Sequence, residues 1–307
     1  MTTTHDFHLR SDYWADAAAR EAFKNFIRQV FGISFEPWDA AGYWDDDYRP
    51  FSFFRADGRI VANACLYSMR LVIAGRRAKV GQISGMGVLP ELRRQGLGRQ
   101  LTEVALRWAS EQGHEFFMLF SSEEALPFYR SQGFTLTAEH TPVLRLARES
   151  SCAANTDAAT SGLRALDMTQ PADRTLLYRL ASDRCPVSQQ LGVLNERLLM
   201  FRTLLPPRGS RAHYIPSLDV AVLFRRRDGV LTLYDIVGPR LPVFAELSPF
   251  LIAPGDREVV FWFMTDALGE LSPFGSLEQR PLVGNNLHSK GGFPVSSPFV
   301  LPFTAQA

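Results

Sequence analysis

Apolar positions near the start of the chain follow two different spacings, which predicts helix and strand in alternation. The helical spacing is carried by Ala19, Phe23, Phe26, Ile27 and Val30. From Phe51 to Ile73 apolar and polar residues alternate around a turn at Ala56-Asp57-Gly58, as in a hairpin. After a second turn at 74–77, a third strand runs up to Pro90, where the missing N–H ends it. The order predicted is a helix, a hairpin and a central strand.

The next stretch predicts a long helix, a buried strand and a short helix. From Leu97 onward one helical face is apolar, and Gly113 stands where a glycine commonly ends a helix. The run HEFFMLFSS then has the unbroken apolar character of a buried strand. A short helix, EEALPFYRSQG, and the strands FTLT and PVLRLA complete this part, so we predict a mixed α/β fold.

A stretch without large apolar residues separates two halves of the chain. RESSCAANTDAATSG is typical of a solvated linker, so we predict a first domain at 1–147, a linker at 148–161 and a second domain at 162–307. The second half repeats the order of helices and strands with different residues, with a hairpin at Asp228-Gly229. We interpret it as a diverged copy of the first half, and an unrelated α/β domain is the alternative. The apolar tail at 291–307 is expected to lie in extended form across the body of the protein.

Composition narrows the class of protein. The 307 residues contain 46% apolar and 21% charged residues, and 33 basic against 32 acidic side chains give a net charge of +1. These values do not favour nucleic acid or a membrane surface as a partner. The start resembles no secretory signal and no run of about 18 apolar residues occurs, so we expect a cytoplasmic protein. Three scattered cysteines and histidines without paired spacing predict reduced thiols and no metal site.

The segment ELRRQGLGRQL at 91–101 lies between the central strand and the long helix and has the composition of an anion site. A Walker loop would require a lysine, and a dinucleotide fingerprint would require glycine at Leu101, so both patterns fail. Free N–H groups at a helix start attract anions, and glycines let a pyrophosphate approach the backbone. A loosened helix start with no ligand is the alternative.

Two motifs in the right order resemble one family. Arg93-Arg94-Gln95-Gly96-Leu97-Gly98 matches the pattern of Gln or Arg, two residues, Gly, one residue and Gly or Ala. One helix and one strand later, Ala125 to Phe134 resembles AxxFYxxxGF. Together they resemble the GNAT superfamily of acyl-CoA-dependent N-acyltransferases over roughly residues 50 to 146.

The resemblance implies acetyl-CoA as the acyl donor, with its pantetheine along Met86 to Val88 and its pyrophosphate on the amides from Arg94 to Arg99. It also implies that the central strand and the next one splay apart around the thioester. The implied donor-site residues are Met86, Gly87, Val88, Arg93, Arg94, Gln95, Gly96, Leu97, Gly98, Arg99, Ser122 and Phe128. Tyr129 matches the family's general acid, and a tyrosine packed in the core is the alternative.

The general base is not identified by the resemblance. Gln82 stands where several family members carry a glutamate, and Ser122 replaces a family asparagine. Ser84, two residues along the same strand face, is a candidate for a water relay, and Asp46 and Asp235 are weaker candidates for the base.

Two charged stretches are open to two interpretations. YWDDDYRP at 43–50 could attract a cationic amine, although a solvated acidic loop is the plainer interpretation. FRRRDG at 224–229 is interpreted as an exposed turn.

At the position of the loop, the second half has Ile236 to Pro242, without a glycine pair and with prolines that remove N–H donors. We therefore expect a silent second domain that completes the acceptor cleft. The leading hypothesis is acetyl transfer from acetyl-CoA to a primary amine of a small molecule, without a metal, a nucleic acid or a membrane. Acetylation of a protein or peptide, and a non-catalytic acyl-CoA-binding sensor or interaction module, are the alternatives.

Overall fold

The computed structural model describes residues 7–147, 162–194, 196–205, 211–292, 295 and 298–307. The predicted linker at 148–161 lies outside the described residues. The division of the chain into two domains at that linker therefore stays a prediction.

Apart from α2, the helices follow the predicted order. They are α1 (Ala17–Phe31), α2 (Glu36–Ala40), α3 (Leu97–Glu111), α4 (Leu126–Ser131), α5 (Pro171–Ser182), α6 (Glu196–Leu204) and α7 (Phe244–Leu251). The carboxylate of Asp16 caps α1 by accepting from the N–H groups of Ala18 and Ala19. Gly113, in the left-handed region at φ 78°, follows the end of α3 as predicted.

The strands belong to two sheets. They are β1 (His8–Ser11), β2 (Tyr48–Phe54), β3 (Ile60–Ile73), β4 (Arg76–Val88), β5 (Phe116–Phe120), β6 (Thr135–Leu136), β7 (His140–Leu146), β8 (Arg164–Ala165), β9 (Leu191–Val193), β10 (Ala212–Ile215), β11 (Val220–Arg227), β12 (Val230–Val237), β13 (Glu258–Phe261), β14 (Gly275–Pro281) and β15 (Leu287–Lys290). The pattern missed α2, β1, β9, β14 and β15. Most of these are short, and a half-exposed strand such as β14 shows no apolar alternation.

The two sheets share one plan. The first has the order β1-β2-β3-β4-β5-β15-β6, and the second, read from its far edge, has the order β8-β10-β11-β12-β13-β7-β14. Within each sheet one pair is parallel, β4 with β5 and β12 with β13, and the remaining pairs between described strands are antiparallel. The mixed α/β fold and the repetition of its plan in the second half are therefore confirmed.

The sheets exchange one strand each. β7 precedes the predicted linker, yet it lies between β13 and β14 of the second sheet. β15 comes from the second half and lies between β5 and β6 of the first sheet. In addition, β9 pairs with the end of β3. The two halves are thus joined by backbone hydrogen bonds as well as by apolar contacts, although each half of the sequence carries most of one sheet.

The end of the chain is buried between the sheets. Phe299, Val300, Leu301, Thr304 and Ala305 are 0 to 3% exposed. Residues 303–305 form a turn of 3-10 helix, so the tail is not extended throughout. Backbone bonds from His140 N–H to the Phe299 carbonyl and from Phe303 N–H to the Trp262 carbonyl fix it to strands of the second sheet. We use the name tail for residues 298–307, which are the last part of the apolar stretch at 291–307.

No helix among the described residues has the length and apolar character that crossing a membrane requires.

Candidate active site

β4 and β5 separate partway along their length. Their pairing runs from Val80 opposite Phe116 to Ile83 opposite Leu119, after which β4 continues to Val88 without a strand on that side. The backbone groups of this free edge can bind an extended chain as an added strand would. The free edge of β4 that the implied splay would leave is present from Ser84 to Val88.

The loop after β4 presents unpaired N–H groups. Arg94 and Gly96 adopt left-handed φ values of 64° and 83°, and Gly96 is the N-cap of α3 without a side-chain cap. From Arg94 to Arg99, no backbone N–H has an acceptor among the described residues. Such a series of N–H groups at the positive end of a helix is suited to a pyrophosphate. The loop therefore has the geometry of an anion site.

The arginines of this loop differ in what they can add. Arg93 Nε donates to the Val88 carbonyl at 3.2 Å, so this side chain folds back over the end of β4. Arg99 Nε donates to Glu103 at 2.9 Å on the exposed surface of α3. Arg94 is exposed and makes no described side-chain bond. Arg94 is thus the loop arginine with an unengaged guanidinium.

Residues predicted to hold the donor come together around Gly98. A side chain built at Gly98 would lie 3.6 Å from Met86 Sδ, from Val88 Cγ2 and from Phe128 Cζ. The loop, the free edge of β4 and α4 therefore share one small space. Ser122 does not lie in this group, because it is exposed at the start of the turn that precedes α4.

Tyr129 lies on α4, next to Phe128, which borders the space at Gly98. It is 7% exposed, and its ring centroid lies 5.0 Å from that of Phe128 and 6.1 Å from that of Phe134. Its hydroxyl forms no hydrogen bond with another described residue. Burial raises the pKa of Tyr129 above its ordinary value, so the phenol keeps its proton at neutral pH. A protonated hydroxyl without a partner is what a proton donor requires.

Gln82 is the link between β4 and the tail. It is 0% exposed; its Nε2 donates to the Ala305 carbonyl at 2.6 Å, and its Oε1 accepts from the Ala307 N–H at 2.6 Å. A carboxylate at this position could not donate to Ala305. The amide that departs from the family pattern is therefore explained by the tail that it binds.

Each candidate for the base occupies a different setting. Ser84 Oγ is buried beside the Tyr48 phenol, yet no group meets hydrogen-bond geometry with it. Asp46 has a side chain that is 80% exposed and pairs with Arg49 at 3.4 Å. Asp235 is 0% exposed and is held by Arg184 at 2.6 Å, by the Thr304 hydroxyl at 2.5 Å and by the Ile236 N–H at 2.8 Å. Of these three candidates, only Ser84 lies on β4 and has a side-chain oxygen without a hydrogen bond of good geometry to a described residue.

The predicted charged surfaces are engaged with their neighbours. In the acidic segment, Asp47 lies 3.9 Å from Arg70 and Asp46 lies 3.4 Å from Arg49. At the basic turn, Arg226 pairs with Asp256 at 3.0 Å and Arg227 with Asp228 at 3.1 Å. Among the described residues, no group of three or more His, Cys, Asp or Glu side chains is arranged for a metal ion.

The face of β3 and β4 that carries Gln82 and Ser84 is covered by the second half. Phe201 of α6 lies 5.7 Å from Tyr67, 6.3 Å from Tyr48 and 5.8 Å from Trp38, measured between ring centroids. This contact was not predicted, because nothing in the sequence of α6 identifies the strands that it will cover.

Comparison with known proteins connects this geometry to a family. A sequence model described as an acetyltransferase (GNAT) domain matches residues 15–137. No curated protein matches the chain.

Among solved structures, a probable N-acyltransferase of Enterococcus faecalis V583 is 14% identical, with a TM-score of 0.59 over 92% of this chain and 72% of that one. A GCN5-related N-acetyltransferase of Kribbella flavida is 17% identical, with a TM-score of 0.53 over 92% and 71%. Eis1 of Mycobacterium abscessus is 17% identical, with a TM-score of 0.50 over 92% and 72%. At these identities the likeness shows a common fold that extends through both halves of the chain.

Proposed function

The chain contains a domain of the GNAT acetyltransferase family over residues 15–137, and on this premise we propose that it transfers an acetyl group from acetyl-CoA to a primary amine of a small molecule. The observation that carries the proposal is the series of unpaired N–H groups from Arg94 to Arg99 at the end of the free edge of β4. The edge suits the pantetheine arm and the loop suits the pyrophosphate.

The chemistry requires a neutral amine, stabilisation of the oxyanion and a proton for the leaving thiolate. The amine nitrogen forms a bond to the thioester carbon, the carbon–sulfur bond breaks, and the nitrogen loses a proton. Tyr129 supplies a proton to the thiolate of CoA, since its raised pKa keeps the phenol protonated. Ser84 passes the proton of the amine to water; its hydroxyl lies beside the Tyr48 phenol and makes no hydrogen bond of good geometry to a described residue that would have to be broken first.

A small acceptor is favoured over a protein because the acceptor face is covered. Phe201 of α6 and the tail residues bound to Gln82 lie over the face of β4 that leads to Ser84. A folded protein surface or a long peptide would need an open groove at this place. A panel of small primary amines compared with lysine-containing peptides tests this part of the proposal, and faster acetylation of the peptides would contradict it.

Calorimetric titration with acetyl-CoA tests the donor site. We expect one site per chain and a large loss of affinity when Gly96 and Gly98 are replaced together by valine. Gly113→Val is the matched control, since Gly113 has a similar positive φ of 78° at the other end of α3 and no atom within 4 Å. Undiminished binding by the double variant, or no binding by the natural protein, would contradict the proposal.

A sensor that binds acyl-CoA without turnover is favoured by one observation, the use of Gln82 to hold the tail instead of a carboxylate beside Ser84. Release of free thiol from acetyl-CoA over an amine library separates the two functions. Binding without thiol release would favour the sensor.

A further inference from the structure

A chain of buried hydrogen bonds leads from the start of α1 to the free edge of β4. The Tyr13 hydroxyl lies 2.7 Å from Ser52 Oγ, Ser52 Oγ donates to Asn63 Oδ1 at 2.7 Å, and Asn63 Nδ2 donates to the Gly85 carbonyl at 2.8 Å. Tyr13 is 3% exposed, and Ser52 and Asn63 are 0% exposed. A fully satisfied polar chain in the core specifies one arrangement of the groups at its ends.

The carbonyl at the end of this chain belongs to a β-bulge. Asn63 pairs with Gly87 and Cys65 with Ser84, so Gly85 and Met86 stand opposite Ala64 alone. Gly85 adopts a left-handed φ of 56°, which a residue with a side chain adopts only with strain. The bulge begins two residues after Ile83, the last residue of β4 that pairs with β5. It therefore sets the direction of the backbone of 86–88, which still pairs with β3 through Gly87 and Val88 but has no described strand on its other side.

The direction of each bond in the chain is fixed. Ser52 has one proton, which goes to Asn63, so Ser52 must accept from Tyr13. Burial raises the pKa of Tyr13 well above its ordinary value, so its phenol remains a donor. The carboxamide of Asn63 thus has its oxygen toward Ser52 and its nitrogen toward Gly85. The second N–H of the same amide faces Cys65 Sγ at 3.4 Å.

We infer that Asn63 is a positioning residue, which holds the bulge at Gly85 and through it aligns the backbone of 86–88 with the bound acyl donor. This inference rests on the proposed function, because the alignment concerns the thioester of acetyl-CoA. Asn63 itself lies on β3, the neighbouring strand of β4 in the same sheet, and it acts on the donor through its bond to the bulge at Gly85. A carboxamide is required because the position must accept from one neighbour and donate to the other.

The variant Asn63→Asp provides a test with a pH signature. As a carboxylate, the new side chain cannot donate to the Gly85 carbonyl; as a carboxylic acid it can, while its other oxygen still accepts from Ser52. At high pH we expect kcat to fall by about 10- to 100-fold, the effect of a misaligned reacting centre. As the pH falls and the acid forms, kcat relative to the natural protein should recover. The affinity for CoA itself should stay close to that of the natural protein, because the pyrophosphate site at 94–99 is unchanged.

Ser52→Ala and Tyr13→Phe are matched controls. Each leaves the bond from Asn63 to Gly85 in place, so we expect smaller losses of kcat with no recovery at low pH. If Asn63→Asp does not fold, these two variants remain informative, and kcat should then fall further for Ser52→Ala, which contacts Asn63, than for Tyr13→Phe. Equal kcat in both of these variants and the natural protein would overturn the inference in that case.

Hydrogen exchange of the backbone at 84–88 is a readout that does not depend on turnover. We expect faster exchange there in Asn63→Asp at high pH and a return toward the natural rate at low pH. If the natural protein releases no thiol with any amine, the proposed function fails. The exchange rates then still show whether Asn63 holds the bulge at Gly85. Unchanged exchange at 84–88, or a loss of kcat that is the same at every pH and accompanied by weaker CoA binding, would overturn the inference.

Discussion

The two halves of the chain carry the same pair of parallel strands but treat the space between them in opposite ways. In the first half, β4 passes beyond its last pair with β5 and leaves a free edge and a loop of unpaired N–H groups. In the second half, β12 likewise passes beyond its last pair with β13, at Leu233 and Phe261, and continues to Val237. There the chain's own groups occupy both the edge and the helix start.

The start of α7 shows how the second site is filled. Glu246 accepts from the Val243 N–H at 3.0 Å and forms two bonds with Arg240, at 2.8 and 2.9 Å. The Phe244 N–H donates to the Leu268 carbonyl at 2.8 Å. A carboxylate of the protein thus lies where an anionic ligand would bind at a helix start.

The tail fills the space between β12 and β13. The Phe303 N–H donates to the Trp262 carbonyl, the Phe303 ring lies 4.5 Å from that of Tyr234, and Thr304 donates to Asp235. The same tail then reaches Gln82 in the first half. The two copies of the fold therefore differ in which N–H groups are left without partners: the loop at 94–99 leaves its groups open, whereas the chain's own groups occupy the start of α7.

The largest expected effect comes from removing one hydroxyl group from the first half, and the comparison is with removal of a hydroxyl group from the second half. Tyr129→Phe should lower kcat by about 10²- to 10⁴-fold, as loss of a general acid does, and leave acetyl-CoA affinity nearly unchanged. The matched control is Tyr234→Phe, which removes a hydroxyl beside the filled edge of the second half and should leave kcat close to the natural value. Steady-state kinetics and calorimetry on both variants check this, and equal losses of kcat and affinity for Tyr129→Phe would remove its role as the acid.

The second prediction concerns the bond between the halves. Gln82→Glu should lower the free energy of unfolding by about 3 to 5 kcal/mol at pH 8, because the Ala305 carbonyl loses its donor and a carboxylate is buried with no cation beside it among the described residues and with only the Ala307 N–H as a donor. The loss should shrink as the pH falls, since a protonated glutamic acid can donate again. Denaturant unfolding at several pH values measures this.

The control for that variant is Gln190→Glu, which adds the same charge at an exposed position. We expect it to change stability little at any pH. If Gln82→Glu were equally harmless, the tail would not depend on Gln82, and the explanation for the missing glutamate would be wrong.

Local pattern predicted the strand and the helix on either side of the loop at 91–101, because each of them is one contiguous segment. Leu97 to Gly113 gave the helix, Pro90 ended the strand, and Gly96 marked the helix start, each by the chemistry of one short segment. The neighbouring positions of β4 and β5 were implied by the family resemblance. Roles for the individual donor-site residues and for Tyr129 remain predictions until binding and kinetics are measured.

Long-range contacts could not be predicted in this way. The hydrogen-bond partners of Gln82, Ala305 and Ala307, lie more than 220 positions away in the sequence. The spacing of apolar residues in β7 and β15 does not indicate that each strand joins the other sheet. Asn63 reads as one polar residue in an apolar strand, and only the register of β3 and β4 shows that it faces a bulge. Contacts of this kind depend on the assembled sheets, which no window of sequence contains.

The third prediction uses a buried carboxyl that holds the tail. Glu139 accepts from the Leu301 N–H at 2.8 Å and from Asn285 at 2.6 Å, and burial raises its pKa to about 7 from 4.5. Because the folded state holds this proton more tightly than the unfolded state, stability should fall as the pH rises from about 4.5 to 7. Glu139→Gln should therefore be more stable than the natural protein at pH 8, by about 2 to 3 kcal/mol, and equally stable near pH 4.5.

Thermal unfolding across that pH range measures the difference, with the exposed Glu124→Gln as control. The tail occupies the space between β12 and β13 in the second half. The added stability of Glu139→Gln should therefore leave the affinity of the first half for acetyl-CoA unchanged. A difference that grows toward low pH would contradict the stated direction of the Glu139 pKa.

The smallest expected effect is the absence of a second binding site. Arg240→Ala and Glu246→Gln remove the groups that occupy the start of α7, and the comparison predicts that calorimetry still finds one acetyl-CoA per chain with nearly natural affinity. The reason is that Pro239 and Pro242 offer no N–H, and the tail still fills the edge of β12. A second site in Glu246→Gln would show that this carboxylate alone keeps the second half from binding, and that the two halves differ by one carboxylate more than by the shape of their backbones.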